Sequence, residues 1–251
     1  MTPLRSRLAE VQLAIMLLTR LPAGRIAEAP SIGAAVWAFP LAGALVGGIS
    51  AAILAAAMAV GVAPPLAAGL AFAAGILASG GLHEDGLADV ADGFGGGRDR
   101  ARKLEIMRDS RIGSYGGLAL VLSVGLRWQG LAILASQGWQ LAALALIALA
   151  ISSRAALGFA LLWMPAARAE GMGQSASATT LPLAIAGLAL GYITMALLIG
   201  PVLALWVLCA QIVVQCAFAR IAIHQIGGQT GDVLGTMQQL AEMAGWLVIA
   251  R

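Results

Sequence analysis

The sequence predicts an all-α fold: a polytopic transmembrane helix bundle with about 6–7 spans and a cytoplasmic N-terminus. Hydrophobic residues make up 60% of the 251-residue chain, charged residues only 11%, and the mean hydropathy is +0.90. A soluble domain carries roughly 25% charged residues. At less than half that, most of the surface must face lipid. The 32 glycines point the same way, because glycine lets membrane helices approach closely. The third observation is the sorting of the charges between the apolar runs.

A spanning helix needs roughly 20 apolar residues. Such runs occur at 33–61, 64–82, 117–135, 139–163, 181–199, 202–223 and 234–250, the last short and interrupted by Glu242. Arg5, Arg7, Arg20 and Arg25 precede the first run. Arg98, Arg100, Arg102, Lys103, Arg108 and Arg111 lie between the second and third, Arg168 follows the fourth, and Arg220 closes the sixth. The alternate connections at 61–65, 136–138 and 200–201 carry no charge. The positive-inside rule therefore places the charged loops and the N-terminus in the cytoplasm. The whole chain, 1–251, reads as a single integral membrane domain. Residues 1–32 form an interfacial N-terminal segment, 83–116 a cytoplasmic acidic catalytic loop and 224–233 a second cytoplasmic Gly-rich loop. The apolar stretch from Val11 to Leu18 is too short for a span and no small-residue cleavage site follows it, so it reads as a surface helix and not as a signal peptide. The pairs Gly43/Gly47 and Gly187/Gly191 mark close helix packing. Cys209 and Cys216 are expected to be small buried hydrophobes. The net charge of +3 comes with no basic stripe interleaved with aromatics, so nucleic acid is not an expected partner.

The densest chemistry lies between Gly80 and Gly117, with seven of the chain's 12 acidic residues. Asp85, Asp89 and Asp92 are spaced i, i+4, i+7, which puts three carboxylates on one helical stripe. Like charges at that spacing repel, so a cation is expected to neutralise them. Hard oxygen ligands suit Mg²⁺ or Mn²⁺, and Mg²⁺ completes its shell with water and substrate phosphates. Asp85, Asp89 and Asp92, with the adjacent Glu84, are the candidate metal ligands. His83, beside two acids, is a candidate general acid or base, as are Asp89 and Asp92. Gly93, Gly95, Gly96 and Gly97 read as a flexible turn. Arg108, Asp109, Arg111 and Ser114, at a Gly-rich helix start, are placed to contact phosphate oxygens.

The second polar cluster runs from Gly227 to Gly235. It has no Lys and is not a P-loop. Its glycines, Gly228 among them, permit close approach to a ligand; Thr230 and Asp232 are candidate substrate contacts. Arg127 and Arg154 fall inside apolar runs, where a charge lines a cavity or meets a partner. Glu242 or an anionic substrate is the expected partner, and Arg154 is carried as a substrate-binding candidate.

With these residues in view, the chain resembles the cobalamin synthase family, the adenosylcobinamide-GDP ribazoletransferases. The likeness rests on the run from Gly80 to Gly93, on Asp109 to Gly116 and on Gly227 to Gly235. Thr19-Arg20-Leu21-Pro22, Phe39-Pro40-Leu41 with Gly43, and Arg168 with Gly171 agree more weakly. The resemblance implies a Mg²⁺-dependent enzyme of the bacterial inner membrane. It would join α-ribazole, or its 5′-phosphate, to adenosylcobinamide-GDP, releasing GMP. The expected partners are these corrinoid and α-ribazole substrates and membrane lipid, with self-association or association with other cobalamin-pathway membrane enzymes.

Two other readings share some of these features. Asp89-Val90-Ala91-Asp92-Gly93 matches the opening of the CDP-alcohol phosphotransferase signature, but the later aspartates of that signature are missing. A transporter would place its polar groups near the midplane, often in repeated halves; here they concentrate in loops and no halves repeat.

Overall fold

In the computed structural model, described over residues 3–168 and 178–250, every named element is a helix. Gly171 lies outside the described residues. In chain order the helices are α1 (Pro3–Leu18), α2 (Ile32–Ala35), which passes through a 3₁₀ turn (Val36–Ala38) into α3 (Phe39–Ala59), α4 (Pro64–Ser79), α5 (Leu82–Gly96), α6 (Arg100–Ile106) and α7 (Ser114–Gln137). Then follow α8 (Trp139–Ala155), α9 (Leu157–Trp163), α10 (Leu181–Ile199), α11 (Pro201–Ile226) and α12 (Gly231–Ile249). Proline stands in the first turn of α3, α4, α10 and α11, where its missing N–H costs nothing. The uncharged connections are tight turns, such as Gly138 between α7 and α8 and Gly200 between α10 and α11.

Among the described residues, five helical stretches are long and apolar enough to cross a membrane: Ile32–Ala59, Ser114–Gln137, Trp139–Trp163, Leu181–Ile199 and Pro201–Ile226. The run begun by α4 qualifies only together with α5, and the two are bent by 86°. The bend has a local cause. Gly80 and Gly81 both adopt left-handed backbone, at φ 70° and 69°, a succession that only glycine makes without strain. With four carboxylates along it, α5 does not qualify as a span by itself. The expected seventh span becomes α12, which is not among the qualifying helices. Asp232, Gln238, Gln239 and Glu242 interrupt its apolarity, and most of its side chains are buried against other helices.

Small residues set the helix contacts. A Cβ on Gly47 would sit 2.8 Å from the Ile147 Cα, and Gly43 meets the α8 backbone at Ala150. Gly187 faces Trp37, and Gly191 faces Ala155. Both G-x-x-x-G pairs are therefore interfaces. Gly93, Gly95 and Gly97 are not a flexible turn. They let Met107, the Tyr115 ring and Lys103 close onto α5. Cys209 and Cys216 are exposed, not buried, because the outward face of a lipid-facing helix is itself apolar.

Candidate active site

The two motif regions meet where α5 crosses α12. Gly86 lies against Asp232, where a Cβ would be 2.9 Å from the Asp232 carbonyl oxygen. One turn along, Gly235 faces the His83 Cα at 3.3 Å. The Thr236 hydroxyl donates to the Gly86 carbonyl at 3.1 Å. This contact brings Asp232 to the carboxylate stripe of α5.

The three acids of the stripe and the adjacent Glu84 part company. Asp92 is buried, and its carboxylate accepts from the Gly113 N–H at 2.7 Å and the Gly116 N–H at 2.9 Å. It fills the N-terminus of α7, the positive end of that helix dipole. A side chain on Gly113 or Gly116 would collide with it. The helix start that Arg108, Asp109, Arg111 and Ser114 were expected to offer to phosphate is thus occupied by a carboxylate of the chain itself. Glu84 turns inward, accepting from Arg127 at 3.1 Å and from Gln239 at 3.1 Å. Asp85 is exposed and Asp89 half-buried. Neither side chain has a hydrogen bond or ion pair among the described residues.

Asp85, Asp89 and Asp232 form a mutually repelling group. Burial first, then the charges of Asp85, Asp232 and Asp92, pushes the Asp89 carboxyl up to about 7. Burial, with Asp85, also raises Asp232, while Arg168 and the Thr230 hydroxyl oppose the shift. Arg168 is the local counter-charge, 3.8 Å from Asp232 and donating to the Leu104 carbonyl at 3.2 Å. Its Nε is buried without a partner.

The Gly-rich loop has definite structural tasks. Gly227 ends α11 in left-handed backbone and packs on the Arg100 guanidinium. Gly228 passes under the Pro165 carbonyl, with no room for a Cβ. Gln229 pairs with both sides of Ala166, accepting from the Ala167 N–H at 2.9 Å and donating to the Pro165 carbonyl at 2.7 Å. Thr230 caps α12, accepting from the Val233 N–H at 3.2 Å. Asp232 remains as the residue of this loop that faces the acidic stripe.

Two sequence candidates lie elsewhere. His83 is 2% exposed, and its Nε2 has no partner. Arg154 is 3% exposed and donates to the Ala150 carbonyl at 2.7 Å. Both line a narrow chamber of about 30 Å³ together with Glu84, Arg127 and Glu242. That volume holds a water or two and not a nucleotide. Arg127 reaches Glu84 at 3.1 Å and Glu242 at 3.6 Å, so two arginines and two glutamates balance inside the bundle. Gln238 donates to Glu242 at 2.6 Å and to Ser153 at 2.9 Å, closing the network. Asp109 and Arg111 pair with each other on the surface at 2.6 Å; the Arg111 hydrogen bonds hold the Asp109 carboxyl at about 2. Ser114 is exposed at the start of α7, and Arg108 is exposed on the Arg168 side of the site.

Among the described residues, no group of three or more His, Cys, Asp or Glu side chains is placed to hold a metal ion. Mg²⁺ does not need such a group, since one or two carboxylates plus substrate phosphates suffice. Asp85, Asp89 and Asp232 repel one another, with Arg168 as the nearby counter-charge, so a cation bound beside one or two of them would relieve that repulsion. Sequence reasoning passed over Arg168 as a site residue. Its signal was its isolation, since it is the only charged residue between Arg154 and Glu170.

No solved structure matches the chain. Curated relatives named adenosylcobinamide-GDP ribazoletransferase do match it over nearly their whole length. The protein of Mesorhizobium japonicum is 46% identical over 245 residues, covering 97% of this chain and 93% of the relative. That of Bradyrhizobium diazoefficiens is 45% identical over 249 residues, covering 98% and 95%. That of Azorhizobium caulinodans is 44% identical over 256 residues, covering 97% of each. The family profile described as cobalamin-5-phosphate synthase matches residues 10–250, a span that takes in α5, α12 and all the carboxylates between them. On that match, the chain belongs to the cobalamin-5-phosphate synthase family.

Proposed function

We propose that the chain performs its family's transfer at the crossing of α5 and α12, using Asp85, Asp89 and Asp232 around Mg²⁺. The reaction joins α-ribazole, or its 5′-phosphate, to adenosylcobinamide-GDP and releases GMP. The full-length match to ribazoletransferases sets the phosphotransferase and transporter readings aside. The observation that supports the site is the Gly86–Asp232 backbone contact, which joins α5 to the helix whose Asp232 carboxylate, itself paired with Arg168 at 3.8 Å, shares the charge field of Asp85 and Asp89.

Asp85, Asp89 and Asp232 are the residues that would hold the cation, which neutralises diphosphate charge when bound. Arg168 and Arg108 add positive charge on the same side. A ribazole hydroxyl attacks the corrinoid-linked phosphorus; a new P–O bond forms, and the bond to GMP breaks. Of the candidate bases, Asp89 is the one open to the site, since Asp92 is buried against two N–H groups and His83 is buried. Asp89 therefore takes the hydroxyl proton. Asp92 and Glu84 act at one remove: Asp92 ties α5 to α7, and Glu84 ties it to Arg127. The charged connections, this site included, face the cytoplasm of a bacterial inner membrane.

The test is turnover by purified protein in liposomes. Adenosylcobinamide-GDP, α-ribazole and Mg²⁺ are supplied, and GMP and corrinoid product are followed by chromatography. Product that requires Mg²⁺ and is lost in Asp89→Asn is expected. A wild type that releases no GMP from these substrates refutes the reaction, and an Asp89→Asn variant with full activity refutes the site.

A further inference from the structure

A cleft of about 660 Å³ opens between the end of α1, the α4–α5 turn and the start of α7. Asp85 lines it, so it adjoins the proposed reaction centre. Its apolar wall includes Leu17, Leu82, Ile112 and Leu120, of which Leu82 is 41% and Ile112 66% exposed. Exposed side chains of that size around a polar opening suit a flat apolar ring system. The size suits a mononucleotide and is too small for a corrinoid carrying its own nucleotide.

Among the described residues, Arg20 is the one cation that lines this cleft, and its position is fixed by its neighbours. The Arg20 N–H donates to the Ala78 carbonyl at 2.8 Å, at the last turn of α4. The preceding Thr19 is buried, with its hydroxyl bonded to the Ile15 carbonyl at 2.7 Å and accepting from the Leu21 N–H at 3.1 Å. The Arg20 side chain then lies across Gly80, where a Cβ would come within 2.5 Å of its Nε. Yet the guanidinium has no ion pair or hydrogen bond among the described residues. A backbone pinned on both sides and a glycine cleared beneath the side chain are more than a surface anchor needs.

We propose that this cleft binds the ribazole acceptor, with Arg20 reading its 5′-phosphate and the apolar wall holding its benzimidazole ring. This rests on the ribazoletransferase reading. The free guanidinium supplies charge-assisted donors to a phosphate. The lining also includes the polar Thr19, Ser79, Glu84 and Asp85, and the KM for adenosylcobinamide-GDP in the experiment below separates the acceptor from the GDP half as occupant. The donor's diphosphate meets its counter-charges on the other side, at Arg168 and Arg108.

The experiment compares wild type, Arg20→Ala and Arg20→Lys with α-ribazole and α-ribazole 5′-phosphate as alternative acceptors. For Arg20→Ala, the preference for the phosphorylated acceptor, as a ratio of kcat/KM values, should fall roughly tenfold or more. The KM for adenosylcobinamide-GDP should stay within about twofold. Arg20→Lys should keep part of the preference. Ribose 5-phosphate should compete with the phosphorylated acceptor on wild type and not with adenosylcobinamide-GDP. Equal loss with both acceptors, as a membrane anchor would give, overturns the proposal. A raised KM for adenosylcobinamide-GDP, or no competition by ribose 5-phosphate, overturns it too. These outcomes all require an active wild type, so they are separate from failure of the reaction itself.

Discussion

Gly86 of α5 rests directly on the Asp232 backbone of α12, close enough that any side chain there would push the two helices apart. Overpacking at such a contact costs roughly 1–3 kcal/mol. Separating the helices also moves Asp232 from Asp85 and Asp89. Gly86→Val should therefore lower turnover by on the order of tenfold or more, more than its drop in thermal stability explains. Gly48→Val, at an open position, is the control. GMP release and thermal unfolding in detergent, measured together, check this.

The free and the tied aspartates should behave differently. Asp85→Asn and Asp89→Asn should each reduce turnover by on the order of a hundredfold or more with little loss of stability, and Asp232→Asn should reduce it as much while also weakening the pairing with Arg168. Asp92→Asn should cost roughly 1–2 kcal/mol in stability, because it weakens two bonds at the start of α7. Its apparent Mg²⁺ requirement should be nearly that of wild type. Mg²⁺ titration of activity, beside thermal melts, separates the two classes. Removal of divalent cations with a chelator should abolish turnover, and restored Mg²⁺ should recover it.

Glu84 should prove a counter-charge to Arg127 and not a metal ligand. Glu84→Gln leaves Arg127 with the more distant Glu242 at 3.6 Å. Losing one member of a buried pair costs about 3–5 kcal/mol. Arg127→Gln should cost a similar amount. The double variant Glu84→Gln/Arg127→Gln should be less destabilised than the sum of the two, which a double-mutant cycle of unfolding measurements reads directly. A Mg²⁺ requirement unchanged in Glu84→Gln completes the assignment.

The orientation is also testable. In a background with Cys209→Ala and Cys216→Ala, a cysteine at Arg98 should resist a membrane-impermeant maleimide added to intact cells. A cysteine at Gly61, on an uncharged connection, should react. The reverse pattern would place the motif loops outside.

The sequence by itself determined the all-helical membrane character, the positions of the long helices, and the two polar motif regions, although it presents the helices α5 and α6 of the 83–116 region as a loop. These follow from properties that add along the chain: length of apolar runs, placement of charge, and glycine and proline at the breaks. It also marked Arg127, Arg154 and Glu242 as mutual partners or cavity groups, because charge inside an apolar run needs one. Only the tertiary structure decided which carboxylates are free. Asp85, Asp89 and Asp92 share one helical stripe, but Asp92 is claimed by the start of α7, 21 residues further on. Glu84 is claimed by Arg127, 43 residues away, and Asp232 joins the stripe from α12. Spacing along one helix states which side chains share a face; it does not state what packs against that face. An unpaired carboxylate is defined by the absence of a neighbour, and neighbours come from helix crossings that depend on small residues such as Gly86 and Gly235.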